Sequence, residues 1–104
     1  MRVISYRRLR EFYEEHPGAK EPLDAWYKKA KRAKWQNISD VKLEYPHADA
    51  VGKCTVFNIG GNKYRLITGI VYARQTIYIK DVLTHKEYTA GNKDKKGTWY
   101  SACK

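Results

Sequence analysis

Acidic residues run short in this chain, and most of all in its second half. The 104 residues carry 21 Lys and Arg against 11 Asp and Glu, a net charge of +10. Divided after Lys53, the first part holds 12 basic and 8 acidic residues and the second 9 and 3. Such an imbalance points to a polyanionic partner whose affinity falls as salt rises. Cysteine is also scarce. Cys54 and Cys103 are too few for a disulfide framework, and no Cys-x-x-Cys or Cys/His cluster has zinc-ligand spacing. The three histidines, His16, His47 and His85, are scattered, so no metal site is expected. No stretch approaches the ~18 consecutive apolar residues of a membrane span. The N-terminal run Met1-Arg2-Val3-Ile4-Ser5-Tyr6-Arg7-Arg8 has no apolar signal segment. A cytoplasmic chain with reduced thiols, no membrane contact and no cofactor is the expectation.

What is present is a pattern of turns and alternating strands. Val56-Phe57-Asn58-Ile59-Gly60-Gly61-Asn62-Lys63-Tyr64-Arg65-Leu66-Ile67 places a Gly pair between two alternating apolar runs, the signal for a hairpin. With a two-residue loop, Ile59 would face Asn62 and Val56 would face Arg65. Phe57, Ile59, Tyr64, Leu66 and Ile70 would then share a core face, because successive side chains alternate. Asn58, Lys63 and Arg65 would share the other. A second turn near Ala73-Arg74, also with two loop residues, would set Lys80 opposite Ile67 and on the same polar face; an odd-length loop would reverse it. His85 and Tyr88 follow just past the strand end. The group has the makings of a phosphate-handling site.

Ahead of this sheet lie helices. Arg2-Val3-Ile4 suits a short first strand and Ser5 a helix cap. Tyr6, Leu9, Phe12, Tyr13 and His16 recur at helical spacing until Pro17-Gly18. A second helix opens at Glu21-Pro22, with Leu23, Trp26, Tyr27, Ala30 and Ala33 as its apolar stripe. Lys28, Lys29, Lys31, Arg32 and Lys34 form its outer face, either a solvated surface or a contact for RNA or an acidic segment. Asn37 to Tyr45 reads as a third, short helix stopped by Pro46. Residues 47–53 read as a loop, strands are expected at about 54–59, 63–72 and 76–84, and 85–88 as a helical turn. One domain over 1–89 is expected, followed by a basic, flexible 90–104 tail in which Trp99 and Tyr100 are unexplained. The class is α+β: an N-terminal strand and two to three helices packed on one face of a small curved antiparallel sheet, the other face open to a ligand.

At these residues the chain resembles the HigB branch of the RelE superfamily of bacterial toxins. The resemblance covers roughly Val3 to Tyr88. It is carried by the Val56-to-Leu66 segment, by Thr84-His85-Lys86-Glu87-Tyr88 and by Pro22-Leu23-Asp24-Ala25-Trp26-Tyr27. It implies a RelE-like fold and a metal-independent endoribonuclease that cleaves mRNA on the ribosome through the RNA 2′-hydroxyl, leaving a cyclic phosphate. It further implies silencing by a HigA-like helix-turn-helix antitoxin, with operator DNA reached only through that complex. By the same resemblance Arg65 matches a phosphate-binding arginine, His85 a proton donor and Tyr88 an aromatic that acts as a base or stacks. Val56 and Asn58 stand where some members carry lysines, so a lysine relay from that strand is not expected.

The chemistry agrees with those roles. Cleavage without a metal must deprotonate the 2′-oxygen, stabilise charge on the phosphorane-like transition state and protonate the leaving 5′-oxygen. Arg65 offers a permanently charged fork, Lys80 a point charge and His85 a proton donor. Tyr88 completes the catalytic set, while Lys53, Asn58, Asn62, Lys63 and Lys86 are the expected RNA contacts. The competing reading is a non-catalytic RNA- or ribosome-binding module that blocks translation by occupancy. A third is an inactive relative that only titrates an antitoxin.

Overall fold

A computed structural model describes residues 1–94 and Cys103; for 90–94 only the backbone is considered. The elements in order are β1 (Arg2–Ile4), α1 (Tyr6–Glu15), α2 (Lys20–Arg32), α3 (Ile38–Glu44), β2 (Asp49–Val51), β3 (Cys54–Ile59), β4 (Tyr64–Val71), β5 (Thr76–Thr84) and α4 (His85–Asp94). The five strands form one sheet in the order β1-β5-β4-β3-β2, antiparallel throughout except that β1 runs parallel to β5. The α+β reading therefore holds, with a mixed five-stranded sheet rather than a purely antiparallel one. The extra strand is β2, in a segment read from sequence as a loop. Gly52, at φ 57°, takes the first position of a two-residue loop and returns the chain so that Val51 pairs Cys54.

The helices cover one sheet face. Leu9 of α1 and Leu23, Trp26 and Ala30 of α2 are buried against Phe57, Ile59, Leu66, Ile77 and Ile79, with Tyr64 and Ile70 at the margin. That is the core face expected from the alternation of β3 and β4. Trp35, in the linker after α2, is also core and stacks on Phe57 at 6.0 Å. Asn37 caps α3 by accepting from the Asp40 amide at 3.0 Å.

The register of the central hairpin is offset from expectation. Ile59 pairs Tyr64 and Asn58 pairs Arg65, so the loop is the four residues 60–63. Gly60 (φ 63°) and Gly61 (φ 71°) both occupy left-handed backbone, which L side chains resist. The two-residue shift is even, and that is why every side chain stays on its expected face.

The second hairpin follows the expected register from Val71↔Thr76 to Thr68↔Ile79. Then Ile67 pairs Asp81, leaving Lys80 as the extra residue of a bulge. Lys80 is therefore not opposite Ile67. Because the bulge restarts the alternation, both Ile79 and Val82 reach the helix-covered core while Leu83 faces the other way.

Three further expectations need correction. The far sheet face is partly covered: Cys54, Val56, Ile67 and Cys103 form a second apolar cluster, with Val51, Leu83 and Tyr88 against it. The thiols are not free, for Cys54 and Cys103 form a disulfide, and Cys103 O accepts from the Lys53 amide at 2.6 Å. The helix after β5 also runs beyond the single turn expected at 85–88. Trp99 and Tyr100, unexplained in the sequence, lie outside the described residues.

Candidate functional site

The site is built on the second sheet face, at the end where β3, β4 and β5 meet α4. Arg65 opposes Asn58 across β3 and Leu83 across β5. The 60–63 loop curls back toward it. Arg65 Nη1 donates to the backbone carbonyls of Asn62 (3.3 Å) and Tyr64 (3.1 Å), and Nη2 donates to the Asn62 side-chain oxygen. The Tyr88 ring lies over the guanidinium, 5.5 Å from centroid to Cζ. These contacts leave Arg65 only 8% exposed. It is buried away from the main core, between a turn and an aromatic ring, not among the helix-facing apolar side chains.

The start of α4 has a local cause in Thr84-His85-Lys86-Glu87. The Thr84 hydroxyl accepts from the Glu87 amide at 3.2 Å, and the Glu87 carboxylate accepts from the Thr84 amide at 2.9 Å, a reciprocal capping box. This fixes His85 as the first helical residue and sets Tyr88 one turn further on. The His85 amide donates to the Lys63 carbonyl at 2.9 Å, so the loop that holds Arg65 also anchors this helix. The His85 side chain is exposed, as is Lys86.

Tyr88 is half-buried, and its hydroxyl is pushed above the usual phenol value. Burial is the main cause, nearby Asp49 adds to it and Arg65 opposes it. Asp49, on β2 opposite Val56, was not legible as a site neighbour because its segment read as a loop. Lys80 lies across Gly69: a methyl there would sit 2.8 Å from Lys80 Cε, so the glycine makes room for its stem on the Arg65 face. Arg8 Nη1 donates to the Lys80 carbonyl at 2.8 Å and ties the bulge to α1.

Of the expected residues, Arg65, Asn62, Asn58, Tyr88 and the backbone of His85 converge. Lys63 contributes its carbonyl from the loop, and Lys80 joins the face from the bulge. Lys53 sits apart in the β2–β3 turn, exposed, beside Cys103. Among the described residues no group of three or more His, Cys, Asp or Glu side chains could hold a metal ion. A groove of about 600 Å³ lies instead between α1 and β5, lined by Ser5, Arg7, Arg8, Glu11 and Asp81 among others, away from Arg65 and Tyr88.

Residues 19–91 match the family of HigB toxins, described as the RelE-like toxic component of a toxin–antitoxin system. Over 91 residues the chain is 31% identical to the mRNA interferase toxin HigB of Escherichia coli strain K12, spanning 85% of this chain and 88% of that protein. It is similar to the mRNA interferase HigB of Shigella flexneri to the same extent. The mRNA interferase HigB of Escherichia coli O6:H1 is 24% identical over 91 residues, with the same coverage.

Proposed function

The chain belongs to the HigB family of RelE-like toxins, the toxic components of toxin–antitoxin systems, and from that premise we propose that it is an mRNA endonuclease. It cuts mRNA on the ribosome, without a metal, and so arrests translation in the cytoplasm. Its relatives carry the name mRNA interferase. A HigA-like helix-turn-helix antitoxin silences it, and operator DNA is met only through that complex.

In the proposed reaction the RNA 2′-oxygen gives its proton to a solvent water molecule and attacks the adjacent phosphorus. The bond to the 5′-oxygen breaks, and a 2′,3′-cyclic phosphate and a 5′-hydroxyl result. Arg65 binds the phosphate oxygens on which charge builds, and Lys80 adds a second positive charge. His85 gives a proton to the departing 5′-oxygen. Asn58, Lys63 and Lys86 contact the RNA around the scissile step, and Lys53, apart in the β2–β3 turn, contacts it further along the strand. A proton-transfer group contributes about 10²–10⁴-fold and a preorganised charge donor a similar factor. The ribosome supplies the alignment of the RNA that a small, partly covered sheet face cannot.

The observation that carries this reading is the single loop, 60–63, that holds Arg65 by its guanidinium and the start of the His85 helix by a backbone hydrogen bond. The low exposure of Arg65 favours one rival, a module that binds the ribosome and blocks it by occupancy. Mapping of mRNA 5′ ends after induction tests the two. Wild type should produce new ends inside reading frames, while Arg65→Ala and His85→Ala should not. Growth arrest without new ends in any of the three supports occupancy. Cleavage persisting in both variants removes these residues from the mechanism.

A further inference from the structure

The loop 60–63 makes a commitment that an ordinary hairpin turn does not need. A guanidinium has five N–H donors in a planar fork. Here Asn62 meets it twice, with its backbone carbonyl on Nη1 and its side-chain oxygen on Nη2. The Tyr64 carbonyl takes a further Nη1 donor. Both terminal nitrogens are thus gripped, and Asn62 bridges them. Among the described residues, Nε and the remaining Nη2 hydrogen have no hydrogen-bond acceptor. They form the side edge, which matches two oxygens of one phosphate. Tyr88 covers the ring face and limits tilting.

The grip depends on the backbone before it. Gly60 and Gly61 both hold positive φ, which turns Asn62 inward under Arg65 and leaves the Lys63 carbonyl aimed at the His85 amide. Gly61 has nothing within 4 Å of where a side chain would begin, so steric room is not what requires glycine there. The conformation does. A chain selecting only for a tight reversal would have no need of a side-chain oxygen aimed back at the arginine.

We propose that Asn62 is a positioning residue, not an RNA contact: it holds Arg65 by both terminal nitrogens of its guanidinium, presents the side edge to the scissile phosphate, and does so from the same turn that sets the first residue of α4. This rests on the nuclease reading of the site and assigns one residue of it a new role. Asn62 acts on the rate of cleavage through Arg65 alone. A group that touches RNA directly would instead change how tightly the ribosome-bound message is held.

The test combines kinetics with a spectroscopic signature. In single-turnover cleavage of ribosome-bound mRNA, Asn62→Ala should lower the rate at saturating ribosomes by about tenfold to a hundredfold with ribosome affinity unchanged. In an Arg65→Lys background, which keeps the charge but loses the fork, the same substitution should add less than about a twofold loss. In the unaltered protein with isotope-labelled arginine, the Arg65 Nη signals should be separate because the grip slows rotation of the guanidinium. In Asn62→Ala they should merge. Weakened ribosome affinity with an unchanged saturated rate would overturn the proposal, as would equal losses in both backgrounds or merged Arg65 signals in the unaltered protein. Should the unaltered protein cleave no message, the nuclease reading fails on its own, and the arginine signals alone decide the positioning role.

Discussion

Tyr88 shows how much a single residue's surroundings decide between two chemical roles. A phenol acting as a base at neutral pH must be partly ionised, and burial together with Asp49 moves this one the other way, against the pull of Arg65. A phenol pushed above its ordinary value is held further in the neutral form at neutral pH. Its ring nevertheless sits over the Arg65 guanidinium, a role that needs no hydroxyl. Tyr88→Phe should therefore retain cleavage within about tenfold of wild type. Tyr88→Ala, which removes the ring, should lose about a hundredfold. A loss in Tyr88→Phe as large as in Tyr88→Ala, measured as single-turnover cleavage on ribosomes, would give the hydroxyl the proton-transfer role. Residues of this kind were legible in the sequence as types at positions. The direction of the pKa shift was not, because it comes first from burial in the fold and then from Asp49, on a strand that no pattern announced.

At the scale of elements, the sequence was most informative where one side chain in two must be apolar, and least where a turn chooses its length. The core faces of β3 and β4 were legible because the period of two survives any even shift of register. The loop length was not, since Gly-Gly satisfies a two-residue turn and a four-residue one equally, and the tight two-residue turn belongs instead to Gly52-Lys53. Nor was the bulge at Lys80, which answers to packing of Ile79 and Val82 beneath the helices rather than to any local signal. The contact between α1 and α2 was equally hidden. There the Tyr6 hydroxyl donates to Asp24 Oδ1 at 2.7 Å, and Lys20 Nζ donates to Oδ2 at 2.9 Å. The Tyr6 hydrogen bond, aided by Lys20 and opposed by burial, holds the Asp24 carboxyl below its ordinary 3.8. A depressed folded-state value means that the carboxylate stabilises the fold above the unfolded value, and that this contribution fades as pH falls through the folded one. Asp24→Asn should thus cost about 1 kcal/mol in denaturant unfolding at pH 7. The gap between variant and wild type should close as pH falls below the ordinary carboxylate range. A gap that stayed constant with pH would show that the carboxylate charge is not what joins the two helices.

For the molecule as a whole, the bond between Cys54 and Cys103 changes what the second sheet face is. Composition gave no reason to pair two cysteines 49 residues apart; only the fold, which lays Cys103 beside β3, brings them together. Cys103 fills the apolar cluster with Val56 and Ile67 on which Tyr88 rests, and Tyr88 in turn covers Arg65. The cross-link therefore bears on the site as well as on stability. Closing a loop of this length is worth about 4 kcal/mol in the chain-entropy account, a large share of the ~5–15 kcal/mol typical of a folded domain. Oxidised protein treated with a phosphine reductant should melt lower by roughly 15 °C or more. Cys103→Ser should melt near the reduced value and be indifferent to the reductant, which separates loss of the bond from any effect of the reagent. Amide exchange in α4 should rise in both reduced protein and variant, since the helix loses the apolar support under Tyr88 while its capping box at Thr84 and Glu87 remains. A wild-type melting temperature untouched by reduction would mean that packing of Cys103 against Val56 and Ile67, not the covalent link, is what closes this end of the sheet.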